Sequence, residues 1–333
     1  MYLSFFCIFA RFYVISLNME YLIVVAALAM IIVGAMLLTD GSVALAKRLR
    51  VPEFIVGLTV VAVGTSMPEL TISMISALGG HGDMAIGNVV GSNTFNIFMI
   101  LGICAIFMPI SFSKSNIRRD IPICIAATLA LVGVTLTGGS ITRLEGVVLL
   151  LGYIVMIIFT IRADRKAMLK EGADQVHDEK GDEKQMPLWR VPIWIILGLA
   201  GLIYGGDLFV GAATKIAQAW GVSEAVIAIT LLAGGTSLPE LSSSLVSIIK
   251  GSPSLALGNV LGSNIANILL ILGTCSTVTP LTMGGITMFD IYVAAAATAV
   301  LMLSALIIGR DKLTRIEGVL FVACYVAYIY TLI

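Results

Sequence analysis

The sequence predicts an all-α integral membrane protein with ten transmembrane helices in two inverted five-helix repeats. Three observations carry that prediction. Of 333 residues, 59% are hydrophobic and 12% charged, about half the charged share of a soluble domain, and mean hydropathy is +1.04. The apolar residues fall in runs long enough to cross a bilayer, which takes about 20 residues per helix. A seven-residue stretch, GTSMPEL at 64–70, returns as GTSLPEL at 235–241.

The runs, bounded by charges or Gly/Pro turns, lie near 20–40, 53–79, 84–108, 120–138, 144–162, 191–215, 222–249, 254–279, 289–308 and 315–333. Helices are expected, because in lipid only helices and closed barrels satisfy their own backbone. Barrel strands alternate in polarity, and these runs do not. Residues 1–19 form an apolar N-terminal extension interrupted by Arg11. Met19 opens MEYLIVV, a natural beginning for the first helix, so the extension reads as a misassigned start; a signal-like segment and an extra surface helix are the rival readings. The first five-helix repeat covers 20–162 and the second 191–333. Between them, 163–190 is the one substantial polar stretch and reads as a solvated linker. The five cysteines, Cys7, Cys104, Cys124, Cys275 and Cys324, have neither metal-ligand nor redox spacing and read as small buried hydrophobes.

The repeat extends well beyond the quoted motif. Aligned without a gap, 64–96 and 235–267 are identical at about half their positions. GNVVGSNTFN at 87–96 answers GNVLGSNIAN at 258–267, Glu53 answers Glu224, and TRLEG at 142–146 answers TRIEG at 314–318 one residue out of step. Each repeat is therefore a whole half. Five is odd, so the halves enter the membrane in opposite directions, as in secondary transporters, whose sites lie near the midplane between repeats. In this arrangement 17 of the 20 Lys and Arg fall on the side of the linker, and three (Arg11, Arg143, Lys215) on the other. The positive-inside rule then places the linker in the cytoplasm and both termini outside, in a multi-pass protein of the inner, cytoplasmic membrane.

The repeated motif sets a helix breaker beside an acid. Pro68 has no N–H, so the carbonyl of Gly64 is expected to lose its helical partner, and that of Thr65 with it. Such carbonyls are costly in hydrocarbon unless something binds them, and a cation is suited to do so. Glu69 adds negative charge one residue later. Gly235, Thr236, Pro239 and Glu240 repeat the arrangement. An intramembrane carboxylate costs a few kcal/mol on insertion scales. No Lys or Arg lies at these depths in helices two, three, seven or eight. Two unpaired acids at repeat-related positions therefore point to ligand binding. In the following helices Asn88, Ser92 and Asn96 share one face, as do Asn259, Ser263 and Asn267. Asn88, Asn259 and the serines beyond each glutamate read as interhelical hydrogen bonders. Ser92, Asn96, Ser263 and Asn267 read as ligands. The glycines of Gly87-xxx-Gly91 and Gly258-xxx-Gly262 are expected to let helices approach closely. All these donors are hard oxygens, suited to Ca²⁺ or Na⁺ rather than zinc or copper. The two glutamates, Glu69 and Glu240, carry the charge that one Ca²⁺ neutralises. His81 and His177 fall in expected loops, and no Ser/His or metalloprotease spacing appears, so an enzyme is not expected. The formal net charge of zero argues nothing about nucleic acid; the expected partners are membrane lipid and the ions themselves, with no nucleic acid.

GTSMPEL with GNVVGSN, and GTSLPEL with GNVLGSN, resemble the alpha repeats of the cation/calcium exchanger superfamily, in its prokaryotic sodium/calcium exchanger form. The resemblance runs from about residue 20 to the end. It implies a secondary antiporter that exchanges several Na⁺, usually three, for one Ca²⁺ by alternating access, extruding Ca²⁺, with the first pair of helices sliding across the rest. It needs no cofactor; Ca²⁺ and Na⁺ are transported. The cation ligands it implies are Thr65, Ser66, Glu69, Ser92 and Asn96, with Thr236, Ser237, Glu240, Ser263 and Asn267 from the second repeat. Many members carry Asp where this chain has Asn267, which leaves the coupling ion open: the alternative is a Ca²⁺/H⁺, or other cation/H⁺, antiporter in which Glu69 or Glu240 exchanges its proton.

Overall fold

A computed structural model describes residues 2–136, 138–171, 186–221, 233–309 and 311–332, with residues 2–18, 165–171 and 233 described by their backbone alone. Apart from two short ribbons, the described regular structure is helical. In chain order the helices are α1 (Tyr2–Leu49), α2 (Glu53–Thr65), α3 (Met67–Leu78), α4 (Gly82–Phe107), α5 (Asn116–Leu136), α6 (Arg143–Glu171), α7 (Arg190–Ala219), α8 (Leu238–Ile249), α9 (Pro253–Val278), α10 (Met288–Ile308) and α11 (Arg315–Leu332). Among the described residues eight helices are long and apolar enough to cross a membrane, or nine if α2 with α3, bent by 44°, counts as one span. The expected seventh run, 222–249, is described only from residue 233, as the turn Ala233–Gly235 and α8.

Two ends differ from the sequence reading. The helix α6 continues past its apolar run into the expected linker, as far as Glu171; the residues there, ADRKAMLKE, are mostly strong helix formers and need no lipid to stay helical. The extension 2–18 joins α1 as one helix.

The centre of the molecule is formed by α4 and α9, whose spans are 78% and 94% buried, against 22–39% for the other helices that span singly. Ile86, Val89, Ile97 and Leu101 of α4 pack with Val260, Leu261, Ile268 and Leu272 of α9 in the main core. A second, smaller core joins α1 to α7 through Ile31, Ala35, Leu38, Ile195 and Leu202. There the backbones nearly touch: a Cβ on Gly198 would stand 2.5 Å from the Leu38 nitrogen. The sequence pairs small residues along both helices, which is how helices associate where lipid removes the hydrophobic drive.

The sequence repeat has a structural counterpart at the helix ends. TRLEG and TRIEG are N-terminal caps. The Thr142 N–H and hydroxyl both donate to Glu145 Oε2, and Thr314 does the same to Glu317 Oε2; this is the reciprocal box that satisfies orphan helix donors. The ribbons pair across the halves: β1 (Ile110–Ser111) with β4 (Lys312–Leu313), and β2 (Ser140–Ile141) with β3 (Leu281–Thr282), both antiparallel.

Cys104, Cys124 and Cys275 are buried free thiols, as expected, but Cys324 is exposed on α11. Only 22% of the α11 span is buried, so most of that helix faces outward, where an apolar thiol is at home in lipid.

Candidate functional site

The helix breaks where the repeated motif falls. Ser66, with φ −82° and ψ 9°, leaves the helical conformation, and α3 restarts at Met67 with Pro68 in its first turn. A missing N–H is harmless there, because first-turn donors have no intrahelical partner. Ser237, with φ −90° and ψ 8°, repeats the break ahead of α8, with Pro239 in its first turn. The carbonyl chemistry differs from the expectation at one atom. Backbone N–H groups of the cap reach the carbonyls of Ala62 and Gly64, so the Gly64 carbonyl is not released; the last turn tightens and supplies the donor that Pro68 lacks. Two bonds bridge the break, from Ser66 N–H to the Ala62 carbonyl and from Leu70 N–H to the Ser66 carbonyl. The Thr65 carbonyl takes neither.

Each break delivers a carboxylate to the first turn of a helix, where the dipole favours negative charge. Glu69 and Glu240 are each 1% exposed. Each is held by the other repeat: Ser237 Oγ donates to Glu69 Oε1 at 3.1 Å, and Ser66 Oγ to Glu240 Oε1 at 3.0 Å. Among the described residues neither acid has a basic partner. The ion pairs lie elsewhere: Arg119 with Asp120 and Asp164, Lys215 with Glu20, Lys250 with Asp40.

Ten buried side-chain oxygens have no hydrogen-bond partner among the described residues, and seven belong to this one constellation: Glu69 Oε2, Glu240 Oε2, Ser92 Oγ, Ser263 Oγ, Asn96 Oδ1, Asn267 Oδ1 and Thr236 Oγ1. An unpaired buried polar atom costs about 1–3 kcal/mol. The seven come from both repeats, two of them are carboxylate oxygens, and all are hard oxygens of the kind that suits Ca²⁺ or Na⁺. Asn96 and Asn267 also lie in π-helical turns, Asn96–Leu101 and Ala266–Leu272, a distortion common at functional sites.

The sequence profile of the sodium/calcium exchanger protein family matches residues 19–162 and 190–333. The chain belongs to this family. It is 36% identical over 313 residues to CaxA of Alkalimonas amylolytica, covering 93% of this chain and 97% of that one. It is 30% identical over 348 residues to the sodium/calcium exchanger MaX1 of Methanosarcina acetivorans, covering 95% and 99%. The fold is similar to that of the sodium-calcium exchanger NCX_Mj soaked with Na⁺ and Ca²⁺, with a TM-score of 0.79 and 31% identity over 95% of this chain and 99% of that one.

In this exchanger the expected residues fall into distinct groups. Glu69, Ser92, Asn96, Thr236, Glu240, Ser263 and Asn267 present free oxygens. Ser66 and Ser237 spend their protons on the glutamates. The Thr65 hydroxyl faces the Ala62 carbonyl at 3.3 Å and Asn259 Oδ1 at 3.2 Å. Asn88 Nδ2 donates to Ser73 Oγ at 3.0 Å, and Asn259 Nδ2 to Ser243 and Ser244 Oγ, both at 2.9 Å, so these two amides join helices.

Asn93 and Asn264 escaped the sequence reading. Both are 3% exposed or less. Asn93 Nδ2 donates to the Asn264 carbonyl and Asn264 Nδ2 to the Asn93 carbonyl, each at 3.1 Å; Asn96 Nδ2 donates to Asn264 Oδ1 and Asn267 Nδ2 to Asn93 Oδ1, each at 3.0 Å. The signal was present, since GSN is identical in both repeats. Grouping residues by i, i+4 and i+8 put Asn93 and Asn264 off the polar stripe. They occupy the neighbouring face, where α4 and α9 meet.

Proposed function

We propose that this exchanger moves Ca²⁺ against Na⁺ by alternating access through ten membrane crossings in two inverted repeats. The observation that carries the reading is the set of seven unpartnered buried oxygens, two of them on carboxylates, drawn from both repeats. Ca²⁺ takes six to eight oxygen ligands, and Na⁺ accepts the same donors. Glu69, Glu240, Asn96, Asn267, Ser92, Ser263 and Thr236 are the proposed ligands, with the Thr65 carbonyl beside them; Ser66 and Ser237 hold the carboxylates. No resident cofactor is involved.

The ten-crossing count draws support from the ribbons. β2 and β3 pair, so Ser140 and Leu281 lie on one side of the membrane and an even number of crossings separates them. The apolar runs between them are 144–162, 191–215, 222–249 and 254–279. An even count requires 222–249 to cross.

The two glutamates carry −2 when ionised, which one Ca²⁺ neutralises, and Asn267 adds no charge. Three Na⁺ in the same site leave +1, and moving that charge through 100 mV is worth about 2.3 kcal/mol. The test is ⁴⁵Ca²⁺ uptake into proteoliposomes at equal pH on both sides, with valinomycin and K⁺ setting the voltage. Uptake that requires internal Na⁺ and varies with voltage is expected. Uptake indifferent to Na⁺ but driven by a pH gradient overturns Na⁺ coupling in favour of protons.

A further inference from the structure

We propose that Asn93 and Asn264 are positioning residues that fix which end of the Asn267 and Asn96 amides faces the transported ion. The inference rests on the cation site proposed above. An amide has an oxygen at one end and an NH₂ at the other, nearly equal in shape. Only the oxygen attracts a cation, so an unsupported amide is a poor ligand for half of its orientations.

The hydrogen-bond chain removes that freedom, and it begins at atoms that cannot flip. A backbone carbonyl only accepts. The Asn264 carbonyl therefore requires the NH₂ of Asn93 at 3.1 Å, which turns Asn93 Oδ1 the other way. That oxygen, also an acceptor, requires the NH₂ of Asn267 at 3.0 Å. Asn267 Oδ1 is then the end left over, and it is the end without a partner. The mate chain runs from the Asn93 carbonyl through Asn264 Nδ2 and Oδ1 to Asn96 Nδ2, and it leaves Asn96 Oδ1 free. Two carbonyls at the α4–α9 crossing thus set the polarity of two ligands. Asn96 and Asn267 are each 1% exposed, so bulk solvent does not compete for their amides.

The same geometry gives a test that a merely structural role would not pass. A carboxylate has an oxygen at both ends and needs no orienting. Asn93→Leu in the Asn267 protein is expected to weaken equilibrium Ca²⁺ binding about ten- to a hundredfold, the usual effect of losing a residue that orients a metal ligand. In the Asn267→Asp background the same Asn93→Leu substitution is expected to cost much less, a coupling read directly from the double-mutant cycle. Binding is measured with ⁴⁵Ca²⁺ on purified full-length protein, each variant first checked for a monodisperse peak and thermal unfolding. Should Asn93→Leu not fold, Asn264→Leu with Asn96→Asp is the symmetry-related cycle. Equal losses in both backgrounds, or no loss in the first, overturn the positioning role. Glu69→Gln serves as the separate control: if it binds Ca²⁺ normally, the site itself is misplaced, whatever the asparagines do.

Discussion

At the scale of the residue, the glutamates dominate. Among the described residues each is buried without a basic partner, and each offers one carboxylate oxygen to a serine of the other repeat while the second has no partner there. Replacing either with Gln halves the negative charge of the site while keeping size and one oxygen. Glu69→Gln and Glu240→Gln are each expected to abolish Ca²⁺ exchange in proteoliposomes at normal expression; normal uptake by either would contradict the assignment. These acids were legible in the sequence because a charge in an apolar run violates the local pattern and demands a reason. Asn93 and Asn264 were not legible, because a polar residue beside a polar stripe violates nothing. Their role lies in which atom faces which, and only the crossing of α4 and α9 decides that. Thr65 shows the same limit: its hydroxyl faces Asn259, nearly two hundred positions away, a contact that no local spacing announces.

At the scale of the element, the break between α2 and α3 and the buried helix α9 work as a pair. The break swings Glu69 and Ser66 inward, and α9 can come close to α2 only because glycines line the contact. A Cβ on Gly262 would stand 2.4 Å from the Leu58 carbonyl oxygen, and one on Gly258 2.3 Å from that of Phe54. Gly262→Ala is therefore expected to cost about 1–3 kcal/mol through overpacking, seen as a lower unfolding temperature in detergent and weaker Ca²⁺ uptake. Gly133→Ala is the matched control. It lies in α5 with nothing within 4 Å of the added carbon among the described residues, and alanine favours a helix, so stability is expected to hold or rise slightly. Equal losses for both would mean that helix approach is not what these glycines provide. The proline break was readable beforehand, as was the close approach at Gly258 and Gly262; the same expectation fails for Gly87 and Gly91, since a Cβ on Gly87 would meet only the Ile286 side chain and one on Gly91 nothing within 4 Å among the described residues. The fate of the Gly64 carbonyl was not readable, because the last turn tightened around the missing donor, a relaxation that depends on how far the chain bends.

At the scale of the whole molecule, side-to-side contacts constrain topology more firmly than hydropathy does. Runs in a sequence report length and polarity, and they leave open whether a bent or short segment crosses. Contacts between distant loops add parity. Arg48, at the end of α1, donates to the Met186 carbonyl just ahead of α7 at 2.9 Å, so those two helix ends share a side. The apolar runs between them are 53–79, 84–108, 120–138 and 144–162, and in the proposed topology the bent α2–α3 segment crosses, which keeps the count even. Lys215 with Glu20 at 2.8 Å ties the far ends of α1 and α7 together in the same way. Combined with the excess of Lys and Arg beside the linker, the proposed topology has 163–190 in the cytoplasm and the loop at Gly80 and His81 outside. A single cysteine at Gly80 or at Arg50, on either side of α2–α3, in a protein freed of its native cysteines, turns this into a measurement. In intact cells a membrane-impermeant maleimide is expected to label position 80 and to spare position 50, while both react after permeabilisation. Positions 80 and 50 behaving alike in intact cells would mean that α2–α3 turns back without crossing. The even count from Arg48 to Met186 would then fail, and the inverted two-fold relation between the glutamates would fail with it.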